Sequence, residues 1–181
     1  MSAIPNALWI MLQTIRLPFT MSLLLCICIG MSAAQSPVAA TSLLHKEAPM
    51  FVRTDLENRK LDLRAYRGKV VLLDFWATWC ASCQLEMPRF VAWQSQYGTR
   101  GLQIIGISMD DDPALAQKLY KKMKLNYPIA MGDEKLGQQY GGVLGLPLTF
   151  LIDAQGKVLA QYSGEADLKL IEEQFKPLLR P

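Results

Sequence analysis

Two nearly unbroken apolar runs organise the chain. Val70-Val71-Leu72-Leu73-Asp74-Phe75-Trp76 and Leu102-Gln103-Ile104-Ile105-Gly106-Ile107-Ser108 are apolar at almost every position, the pattern of central strands covered on both faces. Between them, from Cys80 to about Tyr97, the spacing turns helical, with Leu85, Phe90, Val91 and Trp93 as its buried side and Gly98 and Gly101 ending it. Asp112 is placed to cap a further helix that has Pro113 in its first position. Leu115, Leu119 and Met123 follow at four-residue spacing, and Lys118, Lys121, Lys122 and Lys124 fill its other faces as a solvated surface. A short helix is predicted over 134–140, a hairpin over 148–152 and 158–162 around Ala154-Gln155-Gly156, and a closing helix over 167–179. Before the first run, 50–54 and 60–63 read as two short strands about the turn Glu57-Asn58-Arg59. Strands that alternate with helices and then finish in a hairpin give an α/β fold, a mixed central sheet flanked by helices on both faces with an N-terminal β-hairpin. No repeat or low-complexity segment interrupts 48–181, which reads as one domain behind a small, polar, flexible lead-in over 35–47.

The first 34 residues differ from the rest. They hold a single charge, Arg16, followed by an apolar stretch over 17–34 that closes on Ser32-Ala33-Ala34. That is the plan of a secretory signal cleaved before Gln35. The alternative is an uncleaved membrane tether over 17–34, although the apolar part is short for a full span and carries Pro18. Met11 is an alternative start that would shorten an unusually long leader. Lipidation is disfavoured, because Leu25 and Ile27 stand where small residues would precede Cys26 or Cys28. Either reading of the segment exports the chain, with the periplasm as the expected compartment. Removal of 1–34 takes the formal charge from +3 to +2 and the cysteine count from four to two. So even a balance points to neither a nucleic-acid nor a strong membrane-surface partner.

The remaining cysteines are Cys80 and Cys83, in Trp79-Cys80-Ala81-Ser82-Cys83. A bridge closing so small a loop constrains little of the unfolded chain, so a structural staple explains it poorly. Cys80 falls at the mouth of the predicted helix, where the dipole favours a thiolate, and Cys83 is close enough to resolve a mixed disulfide. Asp74 is a carboxylate in an otherwise apolar strand, so its pKa should be raised unless it is paired. Glu86 lies three residues beyond Cys83, turned back toward the same side, and is either a tuner of the thiols or a solvated helix carboxylate. The Asp110–Asp112 run reads as a helix cap, since the spacing of a calcium loop is missing. His45, the only histidine, lies in the lead-in and is given no chemistry.

The stretch from Val70 to Pro88, VVLLDFWATWCASCQLEMP, resembles the active-site region of the thioredoxin superfamily, with Pro88 eight residues after Cys80. Gly145-Leu146-Pro147-Leu148-Thr149-Phe150-Leu151-Ile152-Asp153 resembles the loop that carries that family's cis-proline. Ala48-Pro49, Gly106-Ile107-Ser108, Tyr127-Pro128 and Glu86-Met87-Pro88 are similar to its exported TlpA-like or ResA-like thiol–disulfide oxidoreductases. The resemblance implies a thioredoxin-like fold from Ala48 to the C-terminus and a redox-active disulfide between Cys80, the nucleophile, and Cys83. It further implies that Trp79, Leu146 and a cis Pro147 meet the substrate, with Asp74 and Glu86 adjusting protonation and no cofactor required. Trp76 is read as either core or site. A monomer is implied that reduces client proteins with cysteine pairs, apocytochromes c or copper-site proteins among them. A membrane thiol reductase of the DsbD type would supply its electrons.

Two other functions would use a cysteine site of this kind. A thiol peroxidase of the peroxiredoxin type needs a threonine three residues before its cysteine and a proline four residues earlier still. Ala77 and Leu73 hold those positions. A metal-binding module would find in two thiolates only half a zinc site, and Gln84 stands where haem attachment needs histidine.

Overall fold

The computed structural model describes residues 42–181, so the expected leader over 1–34 and the start of the lead-in lie outside the described residues. Backbone pairing begins ahead of Ala48. The N–H of His45 donates to the Val158 carbonyl at 2.8 Å, and that of Ala48 to the Gly156 carbonyl at 2.9 Å.

The first strands are β1 (Val52–Thr54) and β2 (Lys60–Asp62), an antiparallel pair. A single 3-10 turn, Leu63–Tyr66, capped by Asp62, leads out of them. The two apolar runs become β3 (Val70–Trp76) and β4 (Leu102–Ser108), paired in parallel and joined through α1 (Ala81–Tyr97). Then follow α2 (Pro113–Met123), β5 (Ile129–Met131), α3 (Glu134–Gln139), β6 (Leu148–Ile152), β7 (Val158–Ser163) and α4 (Leu168–Phe175). The sheet runs β5-β4-β3-β6-β7, with β3, β4 and β5 parallel and β6 and β7 antiparallel to their neighbours.

Alternation along β3 sorts the core into two layers. Val70, Leu72 and Trp76 pack with the disulfide cysteines, Met87, Phe90 and Trp93 of α1, Ala116 and Leu119 of α2, and Ile171 and Phe175 of α4. Val71, Leu73 and Phe75 face the other way, toward Phe51, Leu61, Leu136, Tyr140 and Phe150. Helices therefore cover both faces.

Apart from end residues, β1 beginning at Val52 instead of Met50 among them, the elements differ from the sequence pattern in four places. Short β5 escapes the pattern, because three residues after Pro128 carry no periodicity. Leu85 is 75% exposed, since the inner face of α1 is Cys83, Glu86, Met87, Phe90, Trp93 and Tyr97, a glutamate among apolar residues. Leu115 is also exposed, and Ala116 takes its place against the sheet one residue later. The closing helix ends at Phe175, where Pro177 cannot donate an N–H, and the chain finishes in a 3-10 turn. Among the described residues no helix is long and apolar enough to cross a membrane.

Candidate active site

The C-terminal ends of β3 and β4 carry the site, as is usual where parallel strands feed helices. After Trp76 the chain turns through Ala77-Thr78-Trp79-Cys80, closed by the Cys80 N–H donating to the Ala77 carbonyl at 3.1 Å. Cys80 is the N-cap of α1 in extended conformation, and its sulfur accepts the Cys83 N–H at 3.2 Å. The Ser82 hydroxyl lies 3.6 Å from the same sulfur. Cys80 and Cys83 form a disulfide across a Cα separation of 5.3 Å. Cys80 is 6% exposed and Cys83 1%, so Cys80 is the less deeply buried of the pair. Beside it Trp79 is 71% exposed. Trp76, by contrast, is core; its indole sits over Gly106, where a Cβ would meet Nε1 at 2.9 Å.

Leu146–Pro147 is a cis peptide, as the resemblance implies. Leu146 packs against the same cluster as the two cysteines, and the Pro147 carbonyl accepts the Gly164 N–H at 2.8 Å. Leu144, on the same loop, is 96% exposed. It has no periodic partner in the sequence, and only the loop's position shows where it stands.

Asp74 shares the α1 side of β3 with Leu72 and Trp76 and is buried. Its partner directly across β6 is Thr149, whose hydroxyl donates to Asp74 Oδ1 at 3.0 Å. Burial pushes the Asp74 carboxyl up to about 7; the Thr149 bond acts the other way, and the Glu86 charge adds to the rise. Glu86 is buried too, which removes the reading of it as a solvated helix carboxylate. Its Oε1 accepts the Ala166 N–H at 3.4 Å. Burial lifts its carboxyl, the Ala166 bond opposes this, and the neighbouring Glu165 charge reinforces it. Tyr127, ahead of β5, is a buried third titratable group that sequence reasoning missed. Burial and then the Asp74 charge raise its phenol well above the usual range.

Asp112 caps α2 as predicted, accepting the Ala114 N–H at 2.8 Å. Asp110 does not belong with it: it is buried and bonded to Thr78, on the active-site turn.

The AhpC/TSA family matches residues 44–161. The chain is 36% identical to a thiol-disulfide oxidoreductase ResA of Bacillus thuringiensis subsp. konkukian (strain 97-27), over 90% of this chain and 96% of that one. The chain belongs to the thioredoxin superfamily, as a ResA-like thiol–disulfide oxidoreductase. A ResA of Geobacillus thermodenitrificans (strain NG80-2) is 37% identical over 72% of this chain and 76% of its own. A solved structure from Chlorobium tepidum, assigned as thiol:disulfide interchange protein DsbE, superimposes with a TM-score of 0.68 at 30% identity. It covers 73% of this ResA-like chain and 94% of its own. At the position where a peroxidase would offer a threonine hydroxyl, this ResA-like site has the buried methyl of Ala77.

Proposed function

We propose that the chain is an exported reductant of client-protein disulfides, with Cys80 attacking and Cys83 resolving. The observation that carries the reading is the asymmetry of the pair. The Cys80 sulfur caps α1 and accepts an amide N–H, while Cys83 is the more deeply buried and packs in the cluster of Leu72 and Trp76, the residues that flank Asp74 on that face of β3. A thiolate at a helix N-terminus is stabilised by the dipole and by that N–H, so Cys80 is the sulfur ready to attack.

In the reduced protein the Cys80 thiolate attacks one sulfur of a client disulfide and expels the other as a thiolate. Cys83 gives its proton to Asp74 and attacks the Cys80 sulfur. The Cys80–Cys83 disulfide forms, the second client thiolate leaves, and two electrons have moved to the client. A carboxyl near 7 is half ionised at neutral pH, suited both to accepting that proton and to returning it. Glu86 adjusts this balance through its charge. Trp79, Leu146 and Pro147 form the surface on which an extended client segment lies. Apocytochromes c and copper-site proteins are the candidate clients, and a membrane thiol reductase of the DsbD type restores the dithiol. Residues 1–34 carry the chain out of the cytoplasm to the periplasm, cleaved after export or retained as a tether through 17–34, and the folded unit acts as a monomer.

A redox titration against glutathione, following the Cys80–Cys83 pair, tests the direction. The expected midpoint is nearer the reductant value of about −270 mV than the oxidant value of about −120 mV. A midpoint close to the latter would make the protein a disulfide donor instead.

A further inference from the structure

Side chains that the exchange chemistry does not use hold the turn ahead of the disulfide. All three hydrogen-bonding groups of Thr78 are taken up from elsewhere in the chain. Its N–H donates to both Asp110 carboxylate oxygens at 3.0 Å, its hydroxyl donates to Asp110 Oδ1 at 2.6 Å, and its carbonyl accepts from Gln84 Nε2 at 2.7 Å. Asp110 is buried and is itself fixed by Ser108, the last residue of β4. The Ser108 hydroxyl donates to Asp110 Oδ2 at 2.8 Å and accepts the Asp110 N–H at 3.2 Å. The Met109 N–H donates to the Trp76 carbonyl at 2.8 Å, so the ends of β3 and β4 are tied at the same level.

A buried carboxylate is costly, and this one accepts through both oxygens from Thr78, the residue from which Trp79 and Cys80 hang. The tie matters most when the disulfide is open. In the oxidised protein the covalent bond keeps the Cys80 sulfur over the Cys83 N–H. In the reduced protein that bond is gone, while the charge-assisted bonds from Thr78 to Asp110 contain no cysteine and persist. The stabilisation a helix N-terminus gives a thiolate falls off within its first turn, so a sulfur that wanders from that position loses it.

We infer that Asp110 is a positioning residue for the reduced Cys80 sulfur, acting through Thr78. The inference rests on the reading of Cys80 as the attacking thiol. Loosening the turn raises the thiol's pKa and lowers the thiolate fraction.

The test is the pH dependence of alkylation by iodoacetamide in the reduced full chain, well below the melting transition, with the modified cysteine identified by peptide mapping. Thr78→Val keeps the side chain's size and the backbone bond but deletes the hydroxyl bond. It leaves in place the titratable groups on the elements packed around the site: Asp110 itself, Asp74 on β3, Glu86 on α1, Tyr127 ahead of β5 and Glu165 after β7. The midpoint of the profile is expected to rise and the rate at neutral pH to fall about three- to tenfold. Thr78→Ser restores the wild-type profile, and in an Asp110→Ala background Thr78→Val adds nothing further. A folded Thr78→Val protein with a lower melting temperature but an unmoved pH profile overturns the inference, as do additive effects of the two substitutions. If Asp110→Ala does not fold, the contrast between Thr78→Val and Thr78→Ser decides alone. Wild-type label on Cys83 instead of Cys80 defeats the reading of the attacking thiol, whatever the Thr78 variants do.

Discussion

Asp74 stands between Leu72 and Trp76 on a strand whose side chains are all buried, and the Thr149 hydroxyl donates a hydrogen bond to it. Burial holds its carboxyl near 7 in the folded protein, against 3.8 in the unfolded chain. Between about pH 4 and 7 the native state therefore keeps a proton that the unfolded state has released. Stability falls as pH rises through that window and levels off above it. Asp74→Asn keeps an acceptor for Thr149 and removes the charge. In urea unfolding of the oxidised protein, variant and wild type should agree near pH 4, and at pH 8 the variant should be more stable by on the order of 3 kcal/mol. Equal stability at pH 8 would mean that the folded protein does not penalise the charge. A single acid within an apolar run was enough to mark Asp74 from the sequence. Glu86 was not decidable in that way, because its hydrogen-bond partner, the Ala166 N–H, lies 80 residues further along the chain. Asp110 was hidden by its neighbours: three consecutive aspartates look alike until one is seen to face Thr78.

At the scale of elements, the contact between β3 and β4 depends on a missing side chain. Gly106 lies opposite Asp74 in the parallel register, and a Cβ there would meet Trp76 Nε1 at 2.9 Å and Ile129 Cγ1 at 3.0 Å. Neither is the free end of a flexible chain: one is a buried ring and the other belongs to the neighbouring strand. Gly106→Ala is therefore expected to lower stability by about 1–3 kcal/mol through overpacking. Denaturant unfolding measures this, and an unchanged midpoint would show that the indole moves aside without cost. Both long strands were legible because apolar runs of that length leave few alternatives. The inner face of α1 was less so. Periodicity put Leu85 inward, whereas the helix turns Glu86 and Met87 in and leaves Leu85 to solvent. Hydrophobicity alone could not anticipate a buried glutamate.

The described residues form a sheet between two apolar layers, with the disulfide cysteines in one of them. The α/β class and the helices on both faces followed from the order of periodic segments. Sheet order did not, since nothing local says that β6 pairs with β3 instead of with β4. The oxidoreductase class was readable because two local motifs stand out in the sequence, the cysteine pair with its helix and the Leu146-Pro147 loop; in the fold Leu146 packs against the cluster that holds both cysteines. In the proposed exchange Cys80 forms a covalent intermediate with a client that Cys83 then releases. The most direct measurement uses the Cys83→Ser chain, reduced and mixed with an oxidised peptide bearing a Cys-X-X-Cys-His sequence, the adduct then being mapped by mass spectrometry. A stable mixed disulfide on Cys80 that dithiothreitol releases is expected, and none with Cys80→Ser. The absence of any adduct, or an adduct that persists in Cys80→Ser, would contradict it.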